Sequence, residues 1–198
     1  MHVTLNHRHL VENARGVPRS FGDRHLAYIA ALAALVGAVV LLCSSAAARA
    51  AETSAAAFLQ QAAQIDIAEI NAGNLAQKNS DNADVKSYGQ MLVADHAKHL
   101  TAVQDVAKSL GVSVPDMPPP AEKQEADKLK KLNGRAFDQE FVAHMVEGHQ
   151  MAITLYGAEA KAGNADSSAL AQKTLPTLQH HLEMAQALQK TIGQQTAQ

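Results

Sequence analysis

FDQEFVAHMVEGHQMAITLY, residues 137–156, decides how the rest of the chain is read. Set out at about 100° per residue, Phe141, Val142, Met145, Ala152, Ile153 and Tyr156 form one apolar arc, and His149 falls in its middle. Glu140, His144, Glu147 and Met151 collect on the opposite side, which reads as a solvated face with Glu140 and His144 as a weak i,i+4 pair. A helix with one apolar arc has to bury it against other elements, so the segment implies partners of the same kind.

The flanking sequence supplies them. Apolar residues recur at helical spacing over 55–79 (Phe58, Ala62, Ile65, Ala72, Ala76), 84–110 (Val85, Leu92, Leu100, Val103, Leu110) and 169–192 (Leu170, Leu178, Ala185, Leu188), besides 137–161 itself. NSDNAD (79–84) and AGNADSS (162–168) are turn clusters, and Gly111 is placed to stop the second helix. GVSVPDMPPP (111–120) cannot continue a helix, because proline lacks the backbone donor; the charged stretch EKQEADKLKKLNG (122–134) predicts a short exposed helix inside the crossover. Pro176 is the weakest point, expected to kink or restart the last helix. Two short-turn hairpins joined by a long Pro-containing crossover predict an all-α fold, an antiparallel four-helix bundle of ferritin-like arrangement. Laid over each other at an offset of 85, the halves bring His96 onto His181, but identities are too few to establish a duplication.

The Ala-rich composition, with 4% aromatic residues and no Trp, agrees with helix over sheet. The N-terminus reads separately. Four arginines within residues 1–26 precede the uncharged run AYIAALAALVGAVVLL (27–42) and a small-x-small site at Ala48, Arg49 and Ala50, so 1–50 is expected to be a secretory signal cleaved near Ala51; an uncleaved anchor is the alternative. The domain is then 51–198, with 12 Lys and Arg against 17 Asp and Glu. That acidic balance argues against nucleic-acid binding and leaves the membrane to the export segment alone. The lone cysteine, Cys43, falls in the leader, behind Val-Leu-Leu rather than the small residues a lipidation site wants. A processed chain has neither disulfide nor thiolate ligand.

Each predicted helix carries one ionisable residue at the centre of its apolar stripe: Glu69, His96, His149 and His181. Counted from the turns at 1.5 Å per residue, all four come within about one helical turn of the same level. Unpaired buried ionisable groups are costly, so four at one level should satisfy one another or hold a metal. Three imidazoles and a carboxylate suit one transition-metal ion, Fe, Zn, Mn or Cu. Asp66, Asp95 and His99, on the edges of the same stripes, form a second tier, and His180 is expected to be exposed. Asp138 lies about 16 Å along its helix from His149 and is expected to anchor the helix start instead.

AEINAGNLAQK (68–78), QMLVADH (90–96), GRAFDQEFVAHMVEGHQMA (134–152) and LPTLQHHLEMAQAL (175–188) resemble the bacterial domain-of-unknown-function family numbered 4142. Glu69, Asp95, His96, Phe137, Asp138, His149, Pro176 and His181 stand at that family's recurrent positions. The resemblance implies a ferritin-like bundle in an exported, periplasmic or outer-membrane-associated protein, without an assigned activity. The Phe-Asp and His of FDQEFVAHMVEGH (137–149) are also similar to a sister family of exported, His- and Met-rich helical proteins implicated in copper handling. A ferritin-type di-iron centre is argued against, because Glu-x-x-His is missing: Val93, Val146 and Leu178 precede the three histidines by three.

No nucleophile motif, phosphate-binding Gly loop or catalytic carboxylate pair is present. Binding is therefore favoured over catalysis: an exported metal-binding bundle for storage, buffering or envelope stress. A metal-free structural or interaction protein of the envelope, self-associating or holding an envelope partner, is one alternative. A small metal-dependent oxidase or peroxide-handling enzyme is the other.

Overall fold

The computed structural model describes residues 52, 54–162 and 164–194, all in the unit Ala47–Gln198. The expected export signal and Cys43 lie outside the described residues. Among the described residues the fold is all-helical, with five helices and no strand: α1 (54–79), α2 (Ala83–Ser109), α3 (Pro120–Leu129), α4 (Gly134–Ala162) and α5 (Ala165–Gln194). No helix among them is long and apolar enough to cross a membrane.

Local chemistry sets the boundaries. Asn82 caps α2, its side chain accepting from the amides of Asp84 and Val85. At the far end Gly111 takes a left-handed φ of 66°, and bonds from Gly111 to the Lys108 carbonyl and from Val112 to the Ala107 carbonyl close a Schellman turn. Asn164 caps α5 in the same manner, accepting from Asp166 and Ser167, so that helix begins four residues before the expected Ala169. Likewise α4 begins at Gly134 rather than Phe137. Pro176 sits inside α5 without ending it; Pro176 and Gln172, whose carbonyl loses its donor, are both exposed, so water can take the bond.

The crossover runs back along α1, since Gln60 donates to the Ser113 carbonyl and Asn79 to those of Leu129 and Leu132. In consequence α2 and α4 run the same way, and Tyr88 meets Phe141 just as His96 meets His149. The apolar interior is in two parts. One gathers Val85, Tyr88, Leu92, Phe137, Phe141, Met145, Ala185 and Ile192; the other gathers Phe58, Leu59, Val103, Ala152, Tyr156, Leu170 and Leu178. Along every long helix the switch from one part to the other falls at a buried ionisable residue: Glu69, His96, His149 or His181.

Helices α1 and α2 approach closely at two glycines. A Cβ on Gly73 would stand 2.5 Å from the Gly89 carbonyl oxygen, and one on Gly89 would stand 2.6 Å from the Ala76 Cβ. Only hydrogen fits at either position, and backbone contact is the result.

Candidate metal centre

His96 of α2, His149 of α4 and His181 of α5 are buried, at 3%, 1% and 0% exposure, and each offers one ring nitrogen within 4.8 Å of the others. Their ring centroids lie 5.3–6.0 Å apart. Which nitrogens face inward follows from what holds the outer ones. His149 Nδ1 donates to the Met145 carbonyl at 2.9 Å, one turn back on α4. His181 Nε2 donates to Asp95 Oδ2 at 3.0 Å, and His96 Nδ1 to Asp66 Oδ1 at 2.8 Å. In the neutral ring the remaining nitrogen carries a lone pair: Nε2 of His149, Nδ1 of His181 and Nε2 of His96.

Those three atoms define the chemistry. His149 Nε2 and His181 Nδ1 face each other at 3.3 Å, while His96 Nε2 is buried with no hydrogen-bond partner. Two lone pairs at that separation repel unless a proton or a metal ion lies between them. Two nitrogens bound tetrahedrally at about 2.0–2.1 Å from one zinc-like ion lie about 3.3 Å apart, so the observed spacing is that of a coordination edge. Outer nitrogens fixed by carboxylates or a carbonyl are the usual support for metal-binding histidines. Three buried histidines here could hold a metal ion.

Protonation is uneven. Burial holds His149 below the ordinary histidine range, against the pull of Glu69, and pushes His181 down to about 4, against its bond to Asp95. For His96 burial also opposes charge, but the hydrogen bond to Asp66 and the carboxylates of Glu69, Asp66 and Asp95 together raise it. Two of the imidazoles are thus kept neutral, as ligands must be, and a metal would have to displace a proton from the third.

The four expected central residues do not all converge. Glu69 is 7% exposed, but its Oε1 lies 3.8 Å from His149 Nδ1, the nitrogen already committed to Met145, and its Oε2 has no partner. It adjoins the histidine group without joining it. Asp66, expected at the edge of its stripe, is fully buried, because it accepts from both His96 and His99. His99 points its Nδ1 at Asp66 and its ring at Tyr156, away from the three. Asp95 supports His181, and His180 is exposed as expected. Asp138 is buried near the start of α4, where burial raises its carboxyl against a bond from Ser80.

The side of α4 expected to be solvated is partly roofed by the crossover. His144 Nε2 meets Glu122 Oε2 of α3 at 3.0 Å, and Glu140 pairs with Lys128 rather than with His144; Glu147 and Met151 are exposed. The periodicity of one helix carries no information about such a covering. Two contributors were not visible in the sequence pattern: Tyr88, whose hydroxyl donates to the His181 carbonyl at 3.1 Å, and the Gly73–Gly89 contact. The glycines lie seven residues after Asp66 and seven before His96, a spacing that would have pointed to them.

Comparison with known proteins agrees with this architecture. No curated protein matches the chain. Among solved structures, a candidate secreted protein, DUF305, from Streptomyces coelicolor is similar with a TM-score of 0.63 at 14% identity, over 72% of this chain and 94% of that one. A DUF305 fragment from Deinococcus radiodurans is similar with a TM-score of 0.61 at 14% identity, over 71% and 96% respectively. At such identity the likeness concerns the fold alone. The profile of a domain of unknown function, DUF4142, matches residues 42–188, and the chain belongs to that family.

Proposed function

We propose that this protein is an exported, ferritin-like four-helix bundle that binds one transition-metal ion through His96 Nε2, His149 Nε2 and His181 Nδ1. The single observation that carries the reading is the facing of His149 Nε2 and His181 Nδ1 at 3.3 Å beside a third buried nitrogen without a partner. An all-nitrogen set with no thiolate suits Zn, Cu or Fe and does not suit Mg or Ca, which take oxygen. Glu69 is the adjoining carboxylate with an unpartnered oxygen, and turning that oxygen toward the ion would complete the sphere. The chemistry is that of holding an ion away from water, which fits storage or buffering better than turnover. Export is supported by the arginine-rich, apolar N-terminal segment, with its small-x-small site before Ala51.

The test is the metal content of the processed protein isolated from its own compartment, for the wild type and for His149→Ala and His181→Ala. About one ion per chain, lost in both variants, is expected. Less than about 0.1 ion per chain, with no thermal shift on adding Zn(II), Cu(II), Fe(II) or Mn(II), would overturn the reading. In that case the alternative is a metal-free envelope protein whose His149 and His181 share a proton, a role for which the Asp95 contact to His181 is also suited.

A further inference from the structure

Two cavities flank the histidine group, and they differ in charge. One, of about 230 Å³, opens between α1, the start of α3 and α4, with Glu69, Pro119, Glu122, His144, Gly148 and Met151 on its wall. Its lining contains two carboxylates and neither lysine nor arginine. The other, of about 190 Å³, lies between α2 and α5, and there Lys98 and Lys173 accompany Asp95 and His99. A diffusing cation is favoured by the first and repelled by the second.

The first cavity is also graded from outside to inside. Met151, 57% exposed, stands at its rim. Glu122 and His144, in contact at 3.0 Å, join the crossover to α4 at mid-depth. Glu69 forms the inner end, more than nine-tenths buried, with Oε2 unpartnered and Oε1 3.8 Å from His149. Burying a carboxylate oxygen with nothing to bond is costly, and a cation arriving beside it would remove that cost. Gly148 keeps the way clear: the nearest atom to a Cβ added there is Glu69 Oε1, at 3.6 Å. Alanine would therefore fit, whereas a longer side chain would project into the space in front of Glu69.

Resting on the metal reading above, we infer that this cavity is the port by which the cation reaches the histidines, with Glu69 as a transient ligand that passes it inward. The lysine-lined cavity between α2 and α5 is not a route. The transfer exchanges the ion's water ligands for the carboxylate and then for imidazole, and the proton displaced from His96 leaves to water.

Stopped-flow loading with Co(II), followed by its visible absorption, separates rate from capacity. Gly148→Leu and Glu122→Gln should load at least about tenfold more slowly, yet reach the wild-type ratio of ion to chain, while Thr177→Leu, on the wall of the other cavity, should load at the wild-type rate. The wild-type rate should fall steeply with added salt. Wild-type loading rates in both Gly148→Leu and Glu122→Gln, or an equal slowing in Thr177→Leu, would overturn the port while leaving the histidine site standing. Wild-type protein that takes up no Co(II) at all would remove site and port together. Should Gly148→Leu fail to fold, the partly exposed Glu122 still decides the matter through Glu122→Gln.

Discussion

Replacing Gly73 by alanine should separate α1 from α2 and loosen the histidine group from a distance. The added Cβ would lie 2.5 Å from the Gly89 carbonyl oxygen and 2.9 Å from the Val93 Cγ2. Carbon–oxygen contacts settle at about 3.3 Å or more, so the helices must part by about 0.8 Å. Val93 can rotate away, but the carbonyl belongs to the backbone of a helix. Overpacking of this kind costs about 1–3 kcal/mol, of which alanine's better helix propensity returns up to about 1 kcal/mol. With that return in full the net loss is about 0–2 kcal/mol, a fall of up to about 8 °C in Tm for a domain of this size. Gly157→Ala is the matched control: nothing lies within 4 Å of its added Cβ, so it should gain about 0.5–1 kcal/mol. The site should feel the change, because Asp66 and His96 are each seven residues, about 10 Å, from the glycine contact on antiparallel helices. A parting there would stretch the 2.8 Å bond that orients His96. Thermal unfolding of both variants, with and without Zn(II), measures the effect. A Gly73→Ala protein as stable as Gly157→Ala would refute the close approach.

Acid should destabilise the metal-free protein through His181, whose folded pKa of about 4 lies below the ordinary histidine value of about 6.5. Above pH 6.5 the ring is neutral folded or unfolded; below it the unfolded chain takes up a proton that the folded chain refuses, so stability is lost as pH falls toward 4, by about 2–3 kcal/mol at pH 4.5. His149, shifted in the same direction, adds to this loss, whereas the raised His96 gives its full contribution throughout that window. Urea midpoints at pH 7 and 4.5 should therefore converge in His181→Leu relative to the wild type, and an unchanged acid loss would contradict the assignment. Asp66→Asn should weaken metal binding about 10–100-fold by exchanging the carboxylate to which both His96 and His99 donate for an uncharged amide with one accepting oxygen, measured by competition with a chelating dye; equal affinity would show that Asp66 has no part in the site. His180→Ala, on the exposed face of α5, should bind like the wild type.

Much of this is legible in the sequence. The 3.6-residue recurrence of apolar positions located the four long helices, and the residues interrupting it, His96, His149 and His181, are the ones the fold brings together. Helix starts were less legible, because Asp166, Ser167 and Ser168 look like turn residues but occupy the first turn of a helix capped by Asn164. Glu69 is buried as expected, but it does not join the converging group as expected, since facing inward fixes a direction and not the reach of a side chain. Asp66 departs from its edge position in the opposite sense. An edge position becomes fully buried when two histidines of the neighbouring helix close over it. The covering of His144 by Glu122 depends on how the crossover lies across α4, which no single-helix pattern contains.

The most direct test of the central claim is X-ray absorption at the edge of a Zn(II) or Cu(II) ion loaded into the wild-type protein at one equivalent. The account predicts three imidazole nitrogens at about 2.0–2.1 Å in the wild type, and in His149→Ala, which fails to retain the ion, no such shell. An ion surrounded by water and carboxylate oxygens, with the same spectrum in His149→Ala, would contradict it.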